Sequence, residues 1–375
     1  MSYKNLLNTY QIGILFFMQS LAFIVGAPRS GTYLLLSRLS KNYNISLPVE
    51  THFIPLFRRY ISLWGNLSER RNRERLLYCI YEFLKIWTPR SEQDRDYNKV
   101  FKNSLLITED DSDNIIDSSY DYPSLVHEIY KVFAKRKGRT SFGDKSAFYR
   151  HIDLNIITSS VKSAKVVHII RDGRDVSLSW RNIFTGPVTV LESAILWSSH
   201  VEEKCRWGVQ NPHTYFEIKY EDLIEDEDAT LRAVAEFLEI EKLAEYEKSD
   251  ELESILSSGD MHAKIAGPIL KDNKEKWRTQ MSVANRLIFT HYAGDALKYM
   301  GYAVTDYHIS FLDKFKLKLH FVDNKIRKIL YGRYWRFIVK NHLPLIIWAF
   351  DFLGLSLSNI VNSKKYKQVG NQDHN

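Results

Sequence analysis

The chain has 375 residues, 45% hydrophobic and 26% charged, values of an ordinary globular protein that exclude collagen, a wholly disordered chain and a small disulfide-stapled scaffold. Fifty-two Lys and Arg against 45 Asp and Glu leave a net charge of +7, a mild basic excess that suits anionic ligands without implying nucleic acid. The two cysteines, Cys79 and Cys205, are too few for a disulfide framework and lack the C-x-x-C pairing of a zinc site.

In chain order, the apolar stretch Ile12 to Val25 has the composition of a secretory signal, yet it runs directly into Gly26-Ala27-Pro28-Arg29-Ser30-Gly31 with no convincing cleavage context. Leu21 to Val25 is therefore read as the first core strand and residues 1–20 as an N-terminal lead, with Met18 an alternative start. The expected location is cytoplasmic. After the glycine-bounded turn, Tyr33 to Leu39 carries the leucines of a buried helix. Residues 53–140 read as a helical insertion: Glu69 to Trp87 has helical periodicity, whereas Arg90 to Tyr122 turns polar and is expected to be loop. Its acidic cluster, Glu109, Asp110, Asp111 and Asp113, lacks calcium-loop spacing and is expected to be solvated surface.

A second strand-turn-helix unit spans the β-branched run Lys165 to Ile170, then Arg171-Asp172-Gly173-Arg174-Asp175 and an apolar-periodic stretch through Trp180; a third strand is expected at Tyr215 to Ile218 and a helix at Thr230 to Leu238. Strands alternating with helices predict an α/β fold, a P-loop-like three-layer sandwich around a mainly parallel sheet. The tail, residues 306–375, is basic and apolar: Lys314 to Lys340 holds nine Lys or Arg and one acidic residue, and Leu343 to Val361 is apolar but interrupted by Pro344, Asp351 and Gly354. That is a poor membrane span. It suits an interfacial anchor giving peripheral membrane contact, or equally a helix pair docked on the catalytic domain or on another subunit.

The loop Gly26 to Thr32 joins a strand to a helix, so backbone N–H groups and the positive helix end converge on one point where phosphate or sulfate fits. Walker spacing would place Lys and then Ser or Thr after the second glycine, whereas Thr32 and Tyr33 follow Gly31 and the cation, Arg29, lies inside the loop. A sulfuryl group carries less charge than a phosphoryl group, so a fixed cation and N–H donors can stabilise the departing phosphate without magnesium. No metal is expected: there is no H-E-x-x-H and no zinc-spaced Cys/His set.

Phe23-Ile-Val-Gly-Ala-Pro-Arg-Ser-Gly-Thr32 resembles the 5′-phosphosulfate loop of the PAPS-dependent sulfotransferases, closest in motif to the carbohydrate (heparan sulfate) and tyrosylprotein enzymes. The resemblance runs from about Leu21 to Val304, and implies a sulfotransferase domain over residues 21–305 with the insertion on the acceptor side. It assigns Arg29, Ser30, Gly31, Thr32 and Tyr33 to the donor's sulfated end. It gives Arg171 and Ser179, a strand-end Arg and a Ser eight residues on, to the 3′-phosphate, and Tyr220 of Tyr220-Glu221-Asp222-Leu223 to the adenine. Trp277 and Arg278 fall in the late segment that folds over the nucleotide, although the family's Arg-Lys-Gly signature is missing there and Trp277 also suits a core position.

Pro48-Val-Glu-Thr-His-Phe53, with Glu50 21 residues after Arg29, resembles the segment that supplies the family's glutamate base; Gly143-Asp-Lys-Ser146 is similar to the segment whose lysine, here Lys145, sits by the transferred group. His52 reads as structural. The resemblance thus implies transfer from PAPS, as co-substrate, to a hydroxyl of a carbohydrate or glycolipid, with Arg29, Glu50 and Lys145 catalytic. Tyrosylprotein sulfation is the near alternative; a P-loop kinase and a non-catalytic nucleotide-binding protein are alternatives of another class.

Overall fold

A computed structural model of the chain describes residues 21–87, 106–161, 163–180, 187, 189–244, 268–304 and 333–352. The lead, Met18 and most of the basic part of the tail lie outside these residues.

Five strands form one sheet: β1 (Leu21–Gly26), β2 (Ile45–Ser46), β3 (Ser141–Ser146), β4 (Lys165–Ile170) and β5 (Tyr215–Lys219). Their spatial order is β2-β3-β1-β4-β5 and every pairing is parallel, so the predicted fold class holds. The central strand alternates between two apolar layers, with Leu21, Phe23 and Val25 on one side and Ala22 and Ile24 on the other. On the second side lie α1 (Thr32–Asn42), through Leu35, Leu36 and Leu39, together with the two helices directly after β5.

The first side is covered by the helices between β2 and β3: α2 (Phe53–Arg58), α3 (Arg70–Trp87), α4 (Ser112–Asp117) and α5 (Tyr122–Arg136), joined by α6 (His151–Ser160) after β3. Following β4, α7 (Gly173–Trp180) packs with α8 (Val190–Gln210). After β5 come α9 (Tyr220–Glu225), α10 (Glu227–Leu238), the short α11 (Trp277–Gln280) and α12 (Val283–Tyr299), the last packed along α8.

Two expectations change. Part of the polar stretch expected as loop is α4, because Ile115 and Ile116 bury themselves in the core. Within the acidic cluster Asp111 is buried rather than solvated: it accepts from the Thr108 amide and hydroxyl at 2.8 and 2.7 Å and pairs with Arg136 on α5. One strand, β3, had no sequence expectation. Its Ser-Phe-Gly-Asp-Lys-Ser sequence carries no strand-like apolar run, yet all six residues are buried between β2 and β1.

The tail contributes α13 (Arg333–Phe352), which lies on α2 and α3. Leu343 and Ile347 are buried there, Trp348 Nε1 donates to the Leu63 carbonyl at 3.2 Å, and Asp351 pairs with Arg75 at 3.0 Å. The residue that most spoils a membrane span is thus the one that fastens the helix to the protein. Among the described residues no helix is long and apolar enough to cross a membrane.

Candidate active site

Arg29 leaves β1 with a left-handed backbone, φ 73°, and Gly31 follows at φ 99°. Such angles suit glycine and cost other residues energy, so the turn at Arg29 is held by its surroundings. Gly31 is the N-cap of α1 and supplies no side-chain hydrogen bond to its first turn. Those N–H groups and the positive helix end therefore face the loop. Ser30, 1% exposed, adds a hydroxyl that has no hydrogen-bonding partner among the described residues. Glycine at 31 is also a matter of room, since a Cβ there would come within 2.5 Å of the Tyr220 ring.

Three cations converge on this loop from the carboxyl ends of β1, β3 and β4. Arg29 Nε donates to Ser179 Oγ at 3.0 Å. Burial, and next the field of Arg171, hold its guanidinium below the ordinary arginine range. Arg171 lies over the Tyr220 ring at 4.2 Å and donates through Nη2 to the Asn273 carbonyl at 2.6 Å, while its buried Nε has no partner among the described residues. Lys145, wholly buried, donates to Glu50 Oε1 at 3.0 Å and stands 3.5 Å from the centre of the Tyr33 ring. Burial lowers its pKa and the Glu50 carboxylate opposes that shift.

Glu50 reaches Lys145 because residues 48–50 run beside β3 beyond the end of β2. The Glu50 amide donates to the Lys145 carbonyl at 2.7 Å, and the Lys145 amide to the Pro48 carbonyl at 3.1 Å. Gly143 lets β3 approach this closely on its other side, where a Cβ would collide with the Ala22 carbonyl of β1.

The residues singled out in the sequence thus fall into linked groups: Arg29 with Ser179, Lys145 with Glu50 and Tyr33, Arg171 with Tyr220 and Gly31. The resemblance pairs Ser179 with Arg171; here its hydroxyl meets Arg29 instead. Trp277 is buried, its amide donates to Asp175 Oδ1 at 2.9 Å, and its ring meets the guanidinium groups of Arg174 and Arg278 at 3.6 and 4.7 Å. Arg278 is exposed and ion-paired to Glu275. These contacts fasten the segment before α12 to α7. His52 is buried against Tyr149, ring centres 5.4 Å apart.

Sequence reasoning missed Asn273, which donates to the Tyr220 hydroxyl at 2.7 Å besides accepting from Arg171. Nothing in its polar run signals that place. It also missed Asp144 and Thr51, treated below.

Unpartnered donors around one loop, an uncapped helix end and three cations against a single ion-paired carboxylate make a cradle for an extended dianion or polyanion. The model of the sulfotransferase family matches residues 22–245, more than half of the chain. The protein therefore belongs to the sulfotransferase family and is a sulfotransferase. Among solved structures, the sulfotransferase domain from the Synechococcus PCC 7002 olefin synthase is similar over 76% of this chain and 95% of its own, at 19% identity and a TM-score of 0.46. The sulfotransferase domain from the curacin biosynthetic pathway is similar over 77% and 99%, at 16% identity and a TM-score of 0.46. For mouse sulfotransferase SULT7A1, complexed with PAP, the shares are 80% and 95%, at 16% identity and a TM-score of 0.39. Comparison with curated proteins finds no match.

Proposed function

We propose that the protein moves a sulfuryl group from PAPS to a hydroxyl of a carbohydrate or glycolipid, in line, with Glu50 as the base. The observation that carries this reading is the convergence of Arg29, Arg171 and Lys145 on the uncapped end of α1, with Glu50 as the carboxylate at the same place. Free donors at Ser30 Oγ and Arg171 Nε fit the two anionic ends of such a nucleotide.

In this mechanism the loop amides, Ser30 and Arg29 stabilise the charge that builds on the leaving phosphate. Arg171, with Tyr220 stacked beneath it, anchors the far end of the donor. Lys145 is shared: paired to Glu50 before the donor arrives, it turns its ammonium to the sulfuryl oxygens while Glu50 takes the acceptor's proton. A glycan acceptor is supported by the likeness of Glu50-Thr51-His52-Phe53 and Asp144-Lys145-Ser146 to the glycan enzymes.

The test uses purified protein, radiolabelled PAPS and a panel of glycans, glycolipids and acidic tyrosine peptides, with a chelator present. Label entering a glycan or glycolipid supports the reading; label entering only the peptides replaces the acceptor; transfer that needs magnesium overturns the metal-free mechanism. Calorimetry with adenosine 3′,5′-bisphosphate must show binding, or the donor is wrong. Glu50→Gln should bind that nucleotide normally and lose transfer by at least about a hundredfold. A near-normal rate removes Glu50 from the base role.

A further inference from the structure

Successive side chains on a strand point to opposite faces, and β3 uses both of them on the same neighbour. Lys145 holds Glu50 on one side. Asp144 holds the next residue, Thr51, on the other: Thr51 Oγ1 donates to Asp144 Oδ2 at 2.8 Å, and its amide approaches Oδ1 at 3.5 Å. Tyr149 donates to the same Oδ2 at 2.6 Å. Because the Thr51 proton is committed to Asp144, the 2.8 Å contact between Thr51 and Tyr130 has the Tyr130 hydroxyl as donor. Two hydroxyls of the quartet thus donate to one carboxylate, and the third, Tyr130, donates to Thr51.

Asp144, Tyr149 and Tyr130 are 0%, 1% and 0% exposed and Thr51 4%, so almost no solvent is available to repay a charge in the quartet. An apolar set would fill the same space at lower cost. What the quartet does control is the backbone of Glu50-Thr51-His52, in which Glu50 and His52 are both left-handed, at φ 55° and 56°. Thr51, the residue between them, is tied through its side chain to α5 by Tyr130 and to β3 by Asp144.

We propose that Asp144, acting through Thr51, is the positioning residue that sets the Glu50 carboxylate against Lys145, and that the quartet Asp144, Thr51, Tyr130 and Tyr149 governs the rate of transfer without touching donor or acceptor. The inference rests on the reading of Glu50 as base. Burial pushes the Asp144 carboxyl up to about 6; the hydroxyls of Tyr149 and Thr51 and the Thr51 amide act to lower it, and the Glu50 charge to raise it. Lys145 is the other charged group beside it, on the same strand.

The experiment compares Thr51→Val, Thr51→Ser, Asp144→Asn and Tyr149→Phe with Glu50→Gln in three measurements: single-turnover transfer from radiolabelled PAPS to whichever panel acceptor takes label, calorimetric affinity for adenosine 3′,5′-bisphosphate, and amide exchange by NMR. Thr51→Val and Asp144→Asn should slow transfer by about tenfold to a hundredfold, the scale of a misplaced catalytic group, and leave nucleotide affinity unchanged. Thr51→Ser should restore the rate. The Glu50 amide should exchange faster in Thr51→Val while those of Leu21 to Val25 do not, a readout that needs no acceptor. Adding Thr51→Val to Glu50→Gln should cost nothing more.

An unslowed Thr51→Val, a Thr51→Ser that fails to rescue, or further loss in the double variant overturns the proposal. Tyr149→Phe keeps the ring against His52 and should lose transfer by a smaller factor, so the idea stays testable if Thr51→Val does not fold. If Glu50→Gln itself transfers normally, the base reading falls, and the Glu50 exchange rate still decides whether Asp144 and Thr51 set that segment.

Discussion

Lys145 and Lys204 are both wholly withdrawn from water, one at the carboxyl end of β3 and the other within α8. Lys145 meets a carboxylate, Glu50, and faces a loop whose other groups are cations and amide donors. Lys204 hydrogen-bonds to the His200 ring at 2.9 Å and the His200 carbonyl at 3.4 Å, and burial pushes its pKa down to about 7. The same burial, with the Lys204 charge second, drives His200 and His168 well below the ordinary histidine range. Burial lowers the pKa of both lysines; at Lys145 a directly paired carboxylate, Glu50, opposes the shift, whereas the hydrogen-bonding partner of Lys204 is a histidine.

Several measurements would break or sharpen that contrast. The largest effect is expected from Lys145→Met, which should lower transfer by about a hundredfold to a thousandfold, the usual loss for one stabilising donor at a developing charge, with affinity for adenosine 3′,5′-bisphosphate nearly unchanged because that nucleotide lacks the sulfuryl group. Arg171→Ala should act in the opposite sense, weakening nucleotide binding by about tenfold to a hundredfold in calorimetry, as for a lost charge-assisted hydrogen bond to phosphate.

Lys204→Met should leave transfer within about twofold, and should raise stability at pH 6 by about 1–3 kcal/mol in urea titration, since an apolar chain replaces a buried charge. The smallest effect is its pH dependence. With a folded pKa of about 7 against the ordinary 10.5, the native state releases this proton before the unfolded state does. The unfolded state then binds more protons between those values, so the wild-type protein gains stability as pH rises from about 7 toward 10.5. The advantage of Lys204→Met should shrink over that window; an advantage independent of pH would show that Lys204 is not neutralised by burial.

Much of the site was legible because its pieces are local. The anion loop is one contiguous run, Gly26 to Thr32, and Arg171 to Ser179 is another, each following an apolar strand whose buried β-branched residues announce it. Glu50 and Lys145 were singled out by likeness more than by physics. Lys145 reads as an exposed lysine before a helix when only pattern is considered, whereas it is a buried residue in mid-sheet. The periodicity rule fails on β3 because polar side chains can occupy a central strand when tertiary partners satisfy each of them, as Glu50, Thr51 and Tyr149 do for Lys145 and Asp144. The tail shows the same limit: a basic, apolar helix suits a lipid surface or a protein surface, and only the fit of Ile347, Trp348 and Asp351 on α2, α3 and the Leu63 carbonyl distinguishes them.

By itself the sequence determined the alternation of most strands and helices and the parallel sheet they imply, since each depends on residues a few positions apart whose backbone geometry is set by sterics and burial. Tertiary structure alone decided that Glu50 would meet Lys145 across 95 residues, that Ser179 would turn to Arg29, and that Asn273 would close on Arg171 and Tyr220. Hydrogen bonds and ion pairs between distant segments are fixed by where the packed layers place their ends, and no local spacing encodes that placement.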